Sequence, residues 1–315
     1  MPIPEPLPES DLDRPSEPPS RHGIRRGIAL LPSLFTVANI GLGWYAIQQT
    51  TAALQAPNPA TLLDTAAKTI GWAILLDGFD GRIARMANAS SAFGRELDSL
   101  ADVISFGVAP ALLAYVWGVR FVTLPLLSRG FHYLDHAAQI VAFLFVIAGA
   151  ARLARFNIAP DDSEPSNPGR PGKKYFVGMP IPAAAGVIAA FVHFFASPNF
   201  VFGTVNVGWG WAVVWLAMVL SLAYLMVSTW RFYSFKDIDL RRRQPFFITV
   251  AIGALMAAVW YFSEVTLLAL AVGYSLSAVV WRLRHHLRRG RRPPGRGHPA
   301  GTPWRPSASG DHYGD

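Results

Sequence analysis

The chain has 315 residues, 52% of them hydrophobic, with a formal net charge of +8 and no cysteine. The missing cysteines exclude disulfides and thiolate metal sites. The mean hydropathy of +0.29 comes from long, nearly charge-free apolar runs, which exclude an ordinary water-soluble core and predict membrane-spanning helices of about 20 residues each.

Residues 1–22 are rich in Pro, Glu, Asp and Ser and lack the basic start and short apolar stretch of a signal peptide; they predict a disordered tail. Apolar runs then predict eight helices at roughly 31–51, 63–86, 94–118, 136–157, 178–196, 209–231, 246–262 and 264–282. The last two are separated only around Ser263 and Glu264, as in a tight hairpin. Residues 283–315 are basic and rich in Gly and Pro, and predict a second disordered tail. The expected fold is therefore an all-α polytopic transmembrane bundle over residues 23–282, which would carry the chemistry.

On this layout one side of the membrane holds all of the 28 Lys and Arg except Lys68, Arg120 and Arg129. That partition is the positive-inside pattern, and it puts both termini on the cytoplasmic side of a bacterial-type inner membrane. Topology and anionic headgroups then account for the net charge, so no nucleic-acid partner is implied. His132, His136 and His193 fall on the outer side and read as interfacial residues, and Trp209, Trp211 and Trp215 as an interfacial aromatic belt. The run Ala183, Ala184, Ala185, Gly186 predicts close helix packing.

Ionisable groups inside apolar segments are costly, so four acids in and between the second and third helices stand out. Asp77 and Asp80 are three positions apart and Asp98 and Asp102 four apart, so each pair projects from one side of its helix. The turn between the pairs, ARMANASSAFGRE, is short enough to make the helices antiparallel neighbours and to bring the four carboxylates together near the cytoplasmic end. Such a cluster repels itself unless positive charge lies within it. An all-oxygen donor set suits a hard divalent cation, Mg²⁺ or Mn²⁺, as one ion or a pair. Gly78, Gly81, Ala84 and Gly94 leave room for a bulky ligand, and Arg85, one turn from Gly81, is placed for phosphate oxygens. The competing structural reading is a solvated helical hairpin whose acids pair with Arg82, Arg85 and Arg95.

Taken together, Asp77-x2-Asp80-Gly81-x2-Ala84-Arg85-x8-Gly94-x3-Asp98-x3-Asp102 resembles the full signature of the CDP-alcohol phosphotransferase family. The resemblance covers about residues 30–240 and implies a core of six spans, here with two more at the C-terminus. It implies that Asp77, Asp80 and Asp98 bind metal, and that Asp102 completes the metal site or acts as general base on the attacking hydroxyl. Gly81, Ala84 and Gly94 would form the nucleotide cradle and Arg85 would contact the phosphates. The first span resembles the family's first helix, where Asn39 and Thr36 would face the nucleotide. The family also implies a homodimer.

Three further stretches resemble the branch of the family that uses serine: Asp102-Val103-Ile104-Ser105-Phe106-Gly107-Val108-Ala109-Pro110, Ala151-Arg152-Leu153-Ala154-Arg155-Phe156-Asn157, and Phe176-Val177-Gly178-Met179-Pro180-Ile181-Pro182-Ala183. In the last, Met179 stands where the branch usually has Leu. The implied substrates are CDP-diacylglycerol and L-serine. Arg152 and Arg155, with Asn157 and Ser105, are the candidates for the serine site, Arg155 being preferred for the carboxylate. The competing reading makes both arginines headgroup anchors. The alternatives are the same chemistry on glycerol 3-phosphate or inositol phosphate and, from another class, a cation-coupled transporter.

Overall fold

A computed structural model describes residues 22–87, 92–120, 129–158, 175–197, 208–233 and 245–289, with backbone alone at 22–33, 80–87, 92, 175–177, 231–233, 245–249, 278–279 and 281–289. The chain forms α1 (His22–Ala52), α2 (Pro59–Ala87), α3 (Ala92–Asp102), α4 (Ala109–Tyr115), α5 (Arg129–Asn157), α6 (Ile181–Ala196), α7 (Trp209–Val227), α8 (Pro245–Tyr261) and α9 (Ser263–Arg289). α3 and α4 belong to one continuous rod, Phe93–Arg120, so the described helices make eight rods in the expected order. The fold is an all-α membrane bundle. The described residues through Ala278 form one compact unit.

Among the described residues, three rods are long and apolar enough to cross a membrane: Phe93–Arg120, Arg129–Asn157 and Trp209–Val227. The outward faces agree with that composition. Trp72, Leu75 and Phe79 on α2, and Ile140, Phe143 and Ile147 on α5, recur at helical spacing and are all exposed. A stripe of that kind is costly in water and unremarkable in lipid. Inside, α2 packs on α6, and Ala66, Ala73, Ala184 and Ala185 are buried. A Cβ at Gly186 would stand 3.3 Å from Ile74, the close approach expected of the Ala183–Gly186 run.

Two features lie beyond simple periodicity. The rod that carries Asp98 and Asp102 widens into π-helix at Val103–Val108 and again at Val116–Arg120. At the first widening the Ala109 N–H bonds the Ile104 carbonyl, five residues back. Pro110 follows directly; it has no N–H for the carbonyl four residues earlier and its ring crowds that position, so a wider turn relieves both. The second feature is a short antiparallel pair, β1 (Tyr175–Val177) with β2 (Arg231–Tyr233).

That pair corrects two expected boundaries. The fifth helix starts at Ile181 instead of 178, because Gly178 takes φ +81° and Pro180 is the N-cap. The sixth ends at Val227 instead of 231. Backbone bonds from Gly178 to the Trp230 carbonyl (2.8 Å) and from Met179 to the Leu225 carbonyl (3.0 Å) tie the segment to the end of α7. Trp215 is a further correction: it is buried against Gly118, donates to the Ala114 carbonyl at 2.9 Å, and is no part of an interfacial belt. Trp209 is exposed, as that belt requires. α9 continues to Arg289, past the expected end at 282, and the remaining tail residues lie outside the described ones.

Candidate metal centre and acceptor pocket

Asp77 lies on α2, and Asp98 and Asp102 on α3, at the end of the bundle where the two helices meet their short connection. Each offers one carboxylate oxygen to a group in which all three oxygens lie within 4.8 Å of one another, and each residue is half-buried. Three carboxylate oxygens gathered this closely could be ligands of one hard cation. Donors that are all oxygen suit a hard divalent cation, whereas zinc sites more often recruit His or Cys. Asp80 is on the same helix as Asp77, but its side chain lies outside the described residues, as do those of Gly81, Ala84 and Arg85. Gly94 is half-buried in the first turns of α3.

The π-turn after Asp102 turns Ser105, Phe106 and Gly107 inward, all three buried. Ser105 donates to the backbone carbonyl of Asn39 at 2.9 Å. A Cβ at Gly43 would come within 2.5 Å of the Ser105 hydroxyl oxygen; only glycine lets α1 approach so closely. Ser105 therefore sits in the α1 contact and not on an open face. Thr36 and Asn39 are buried on α1, and Asn39 Oδ1 has no hydrogen-bond partner among the described residues. A buried amide oxygen of this kind is costly unless a ligand or water completes it.

At the inner end of α5 the two arginines part company. Arg152 is half-buried, its guanidinium lies 4.5 Å from the Phe156 ring centroid, and it is within electrostatic reach of Asp102 and of Tyr274 on α9. Its Nε is buried without a hydrogen-bond partner among the described residues. Arg155 is exposed. Asn157 also reaches the acidic helix, its Nδ2 donating to Ser99 Oγ at 3.1 Å, between Asp98 and Asp102 in sequence.

A second polar group, at the opposite end of the bundle, was not expected. His193 is buried, not interfacial. Its Nδ1 contacts Asp64 Oδ1 at 2.5 Å and its Nε2 contacts the Ser263 hydroxyl at 2.9 Å. Lys68 Nζ lies 2.8 Å from the other Asp64 oxygen, and Ser197 donates to Glu264 Oε1 at 2.8 Å. An aspartate just inside a predicted span, one helical turn before a lysine, was the available signal.

Comparison with known proteins adds to this geometry. Residues 29–223 match the family described as CDP-alcohol phosphatidyltransferase. The chain is 36% identical to the CDP-diacylglycerol–serine O-phosphatidyltransferase of Helicobacter pylori over 209 residues, 66% of this chain and 74% of that one. It is 34% identical to the enzyme of the same name from Bacillus subtilis over 207 residues, 65% of this chain and 91% of the relative. Over 219 residues it is 34% identical to that of Mycobacterium bovis, 67% of this chain and 63% of the relative.

Proposed function

The chain belongs to the CDP-alcohol phosphatidyltransferase family, and on that premise we propose that it transfers a phosphatidyl group from CDP-diacylglycerol to the hydroxyl of L-serine, giving phosphatidylserine and CMP. The observation that carries the reading is the convergence of Asp77, Asp98 and Asp102 within 4.8 Å, with Arg152 in electrostatic reach of Asp102. Family membership replaces the transporter reading with group-transfer chemistry.

In this proposal Asp77, Asp98 and Asp102, joined by Asp80, hold Mg²⁺ or Mn²⁺, as one ion or two. A cation held there would supply positive charge to the pyrophosphate and to the departing phosphate. Gly81, Ala84 and Gly94 leave space for the nucleotide, Arg85 binds phosphate oxygens, and Asn39 with Thr36 lines the nucleotide side from α1. The serine oxygen attacks the phosphorus that bears diacylglycerol, and the bond from that phosphorus to the CMP oxygen breaks. Asp102 takes the serine proton. Arg152 receives the serine carboxylate; its buried Nε, without a hydrogen-bond partner among the described residues, and a guanidinium held against Phe156 suit a bidentate contact. Asn157, tied to Ser99 beside the acids, supports the same pocket.

Both termini and the pocket face the cytoplasm of an inner membrane in this reading, since CDP and serine are water-soluble while the acyl chains stay between helices. The family resemblance also supports a homodimer, which cross-linking in native membranes would test. The decisive experiment supplies labelled serine and CDP-diacylglycerol to membranes containing the protein. Labelled phosphatidylserine with an equal amount of CMP is expected. Lipid product from glycerol 3-phosphate or inositol phosphate in place of serine would overturn the acceptor assignment.

A further inference from the structure

The residues that match the family end at 223, so α8 and α9 lie beyond the shared core. The first residue of α9 nonetheless completes a polar chain that begins inside that core. Asp64 on α2 and Ser263 on α9 hold the two ring nitrogens of His193 on α6. The Asp64 oxygen stands 2.5 Å from Nδ1, and the Ser263 hydroxyl oxygen 2.9 Å from Nε2. An ionised Asp64 only accepts, so Nδ1 carries the proton and Nε2 is left to accept from the Ser263 hydroxyl. Lys68, 2.8 Å from the other Asp64 oxygen, balances the carboxylate charge. His193 is buried whereas Ser263 is only half-buried, so the imidazole is shielded while the hydroxyl stays within reach of a ligand.

A serine hydroxyl, an imidazole and a carboxylate linked in that order, at these distances, are the groups that make serine a nucleophile. The surroundings suit one class of electrophile. Ser263 lies at the turn between two apolar helices, α8 and α9, and Trp260, Tyr261, Phe262 and Val265 beside it in sequence are all exposed. Aromatic side chains at the end of an apolar hairpin belong at the depth of the lipid headgroups, where acyl ester carbonyls also lie. Ser263 opens α9, and a helix start presents backbone N–H groups with no partner inside the helix. Donors of that kind take up the charge that gathers on a carbonyl oxygen under attack. The acid next in sequence, Glu264, accepts from the Ser197 hydroxyl at 2.8 Å, so its charge is met by that donor.

We propose that Ser263, His193 and Asp64 form a second catalytic site, at the end of the bundle opposite the metal centre, which cleaves acyl esters through an acyl-serine. Ser263 Oγ bonds to the acyl carbon, and its proton passes to His193 Nε2. The bond from the acyl carbon to the alcohol oxygen breaks, and the alcohol leaves with that proton. Water, giving a proton to the same nitrogen, then attacks the acyl-serine, releases the carboxylic acid and restores the Ser263 hydroxyl. Asp64 holds the ring in the tautomer these steps need and steadies the imidazolium formed in each. The site uses none of the groups assigned to phosphatidyl transfer and does not rest on that reading.

The test uses the full chain in detergent micelles with two probes, a biotinylated fluorophosphonate and the p-nitrophenyl ester of a medium-chain fatty acid. The fluorophosphonate would bond Ser263 Oγ to phosphorus and expel fluoride, with the hydroxyl proton passing to His193. Peptide mass spectrometry is expected to find one label per chain, on the peptide that contains Ser263, and the label should stop nitrophenolate release. Ser263→Ala should lose both signals while keeping serine-dependent CMP release, which shows that it is folded. His193→Ala, assayed below its melting temperature, should take the label at least about 100-fold more slowly. A folded wild type that takes no label, a label on another residue, or ester cleavage that survives Ser263→Ala would overturn the proposal and leave the three residues a clasp between α2, α6 and α9. The failures are separable: no serine-dependent CMP release by wild type sinks the acceptor reading alone, whereas the label and the ester assay decide this inference.

Discussion

Both ends of the bundle place acids among apolar helices, and they handle the charge in opposite ways. At the outer end each acid meets donors supplied by the protein. Asp64 has Lys68 and His193, Glu264 has Ser197, and Asp135 has Tyr115 at 2.7 Å, Gln139 at 3.0 Å and Arg120 at 3.8 Å. At the inner end Asp77, Asp98 and Asp102 face one another. Acids held by donors of a neighbouring helix fasten helices together; three acids gathered within reach of one another suit a shared cation. Position in an apolar segment does not separate the two kinds. What the carboxylate faces does.

The comparison breaks most decisively at the inner end. Asp98→Asn should lower CMP release by more than about 100-fold, beyond the 10–100-fold typical of groups that merely support a metal ligand. A variant that kept wild-type turnover would move the inner acids into the structural class. EDTA should abolish turnover in the unmodified protein, with Mg²⁺ or Mn²⁺ restoring it, and the thermal melting curve read alongside shows whether the acids also hold the fold without metal. Arg152→Ala comes next. Losing charge-assisted hydrogen bonds worth about 1.5–3 kcal/mol should raise the serine KM about 10–100-fold with the KM for CDP-diacylglycerol little changed.

At the outer end the expected loss is of stability. His193→Ala removes the ring that joins Asp64 to Ser263, leaving Asp64 with Lys68, and should cost about 1–3 kcal/mol, read as a lower melting temperature, with no change in the metal concentration needed for half-activation. A shift in that metal requirement would show the two ends to be coupled. Gly178→Ala tests the β1 segment apart from both. Its φ of +81° and a Cβ 2.5 Å from the Met226 carbonyl oxygen predict a loss of about 1–3 kcal/mol by strain, again in the melting curve. The smallest effect belongs to Arg155→Ala, for which the exposed position predicts less than a threefold change in the serine KM.

Much of this was legible in the chain. Long apolar runs, a lopsided partition of Lys and Arg, and carboxylates three and four residues apart are properties of local spacing, and local spacing dictates helices, their sides and their order. Eight helical rods in sequence, with Asp77, Asp98 and Asp102 brought together from two of them, follow from that periodicity and a short turn. The identity of the family came from the same residues.

The tertiary structure decided matters that depend on contacts between segments distant in sequence. Nothing in the neighbourhood of His193 distinguishes an interfacial histidine from a buried one; Asp64 and Ser263, 129 and 70 positions away, do. Trp215 resembled its exposed neighbours until Gly118 and the Ala114 carbonyl were found against it. Arg152 and Arg155 are three positions apart on one helix, equally basic and equally placed for headgroups. Their different surroundings, Asp102 and Tyr274 for the one and an exposed surface for the other, arise although residues three apart lie near the same side of a helix. Which side then meets the acids is set by the packing of α5 within the bundle, and periodicity along one strand of sequence contains no information about that.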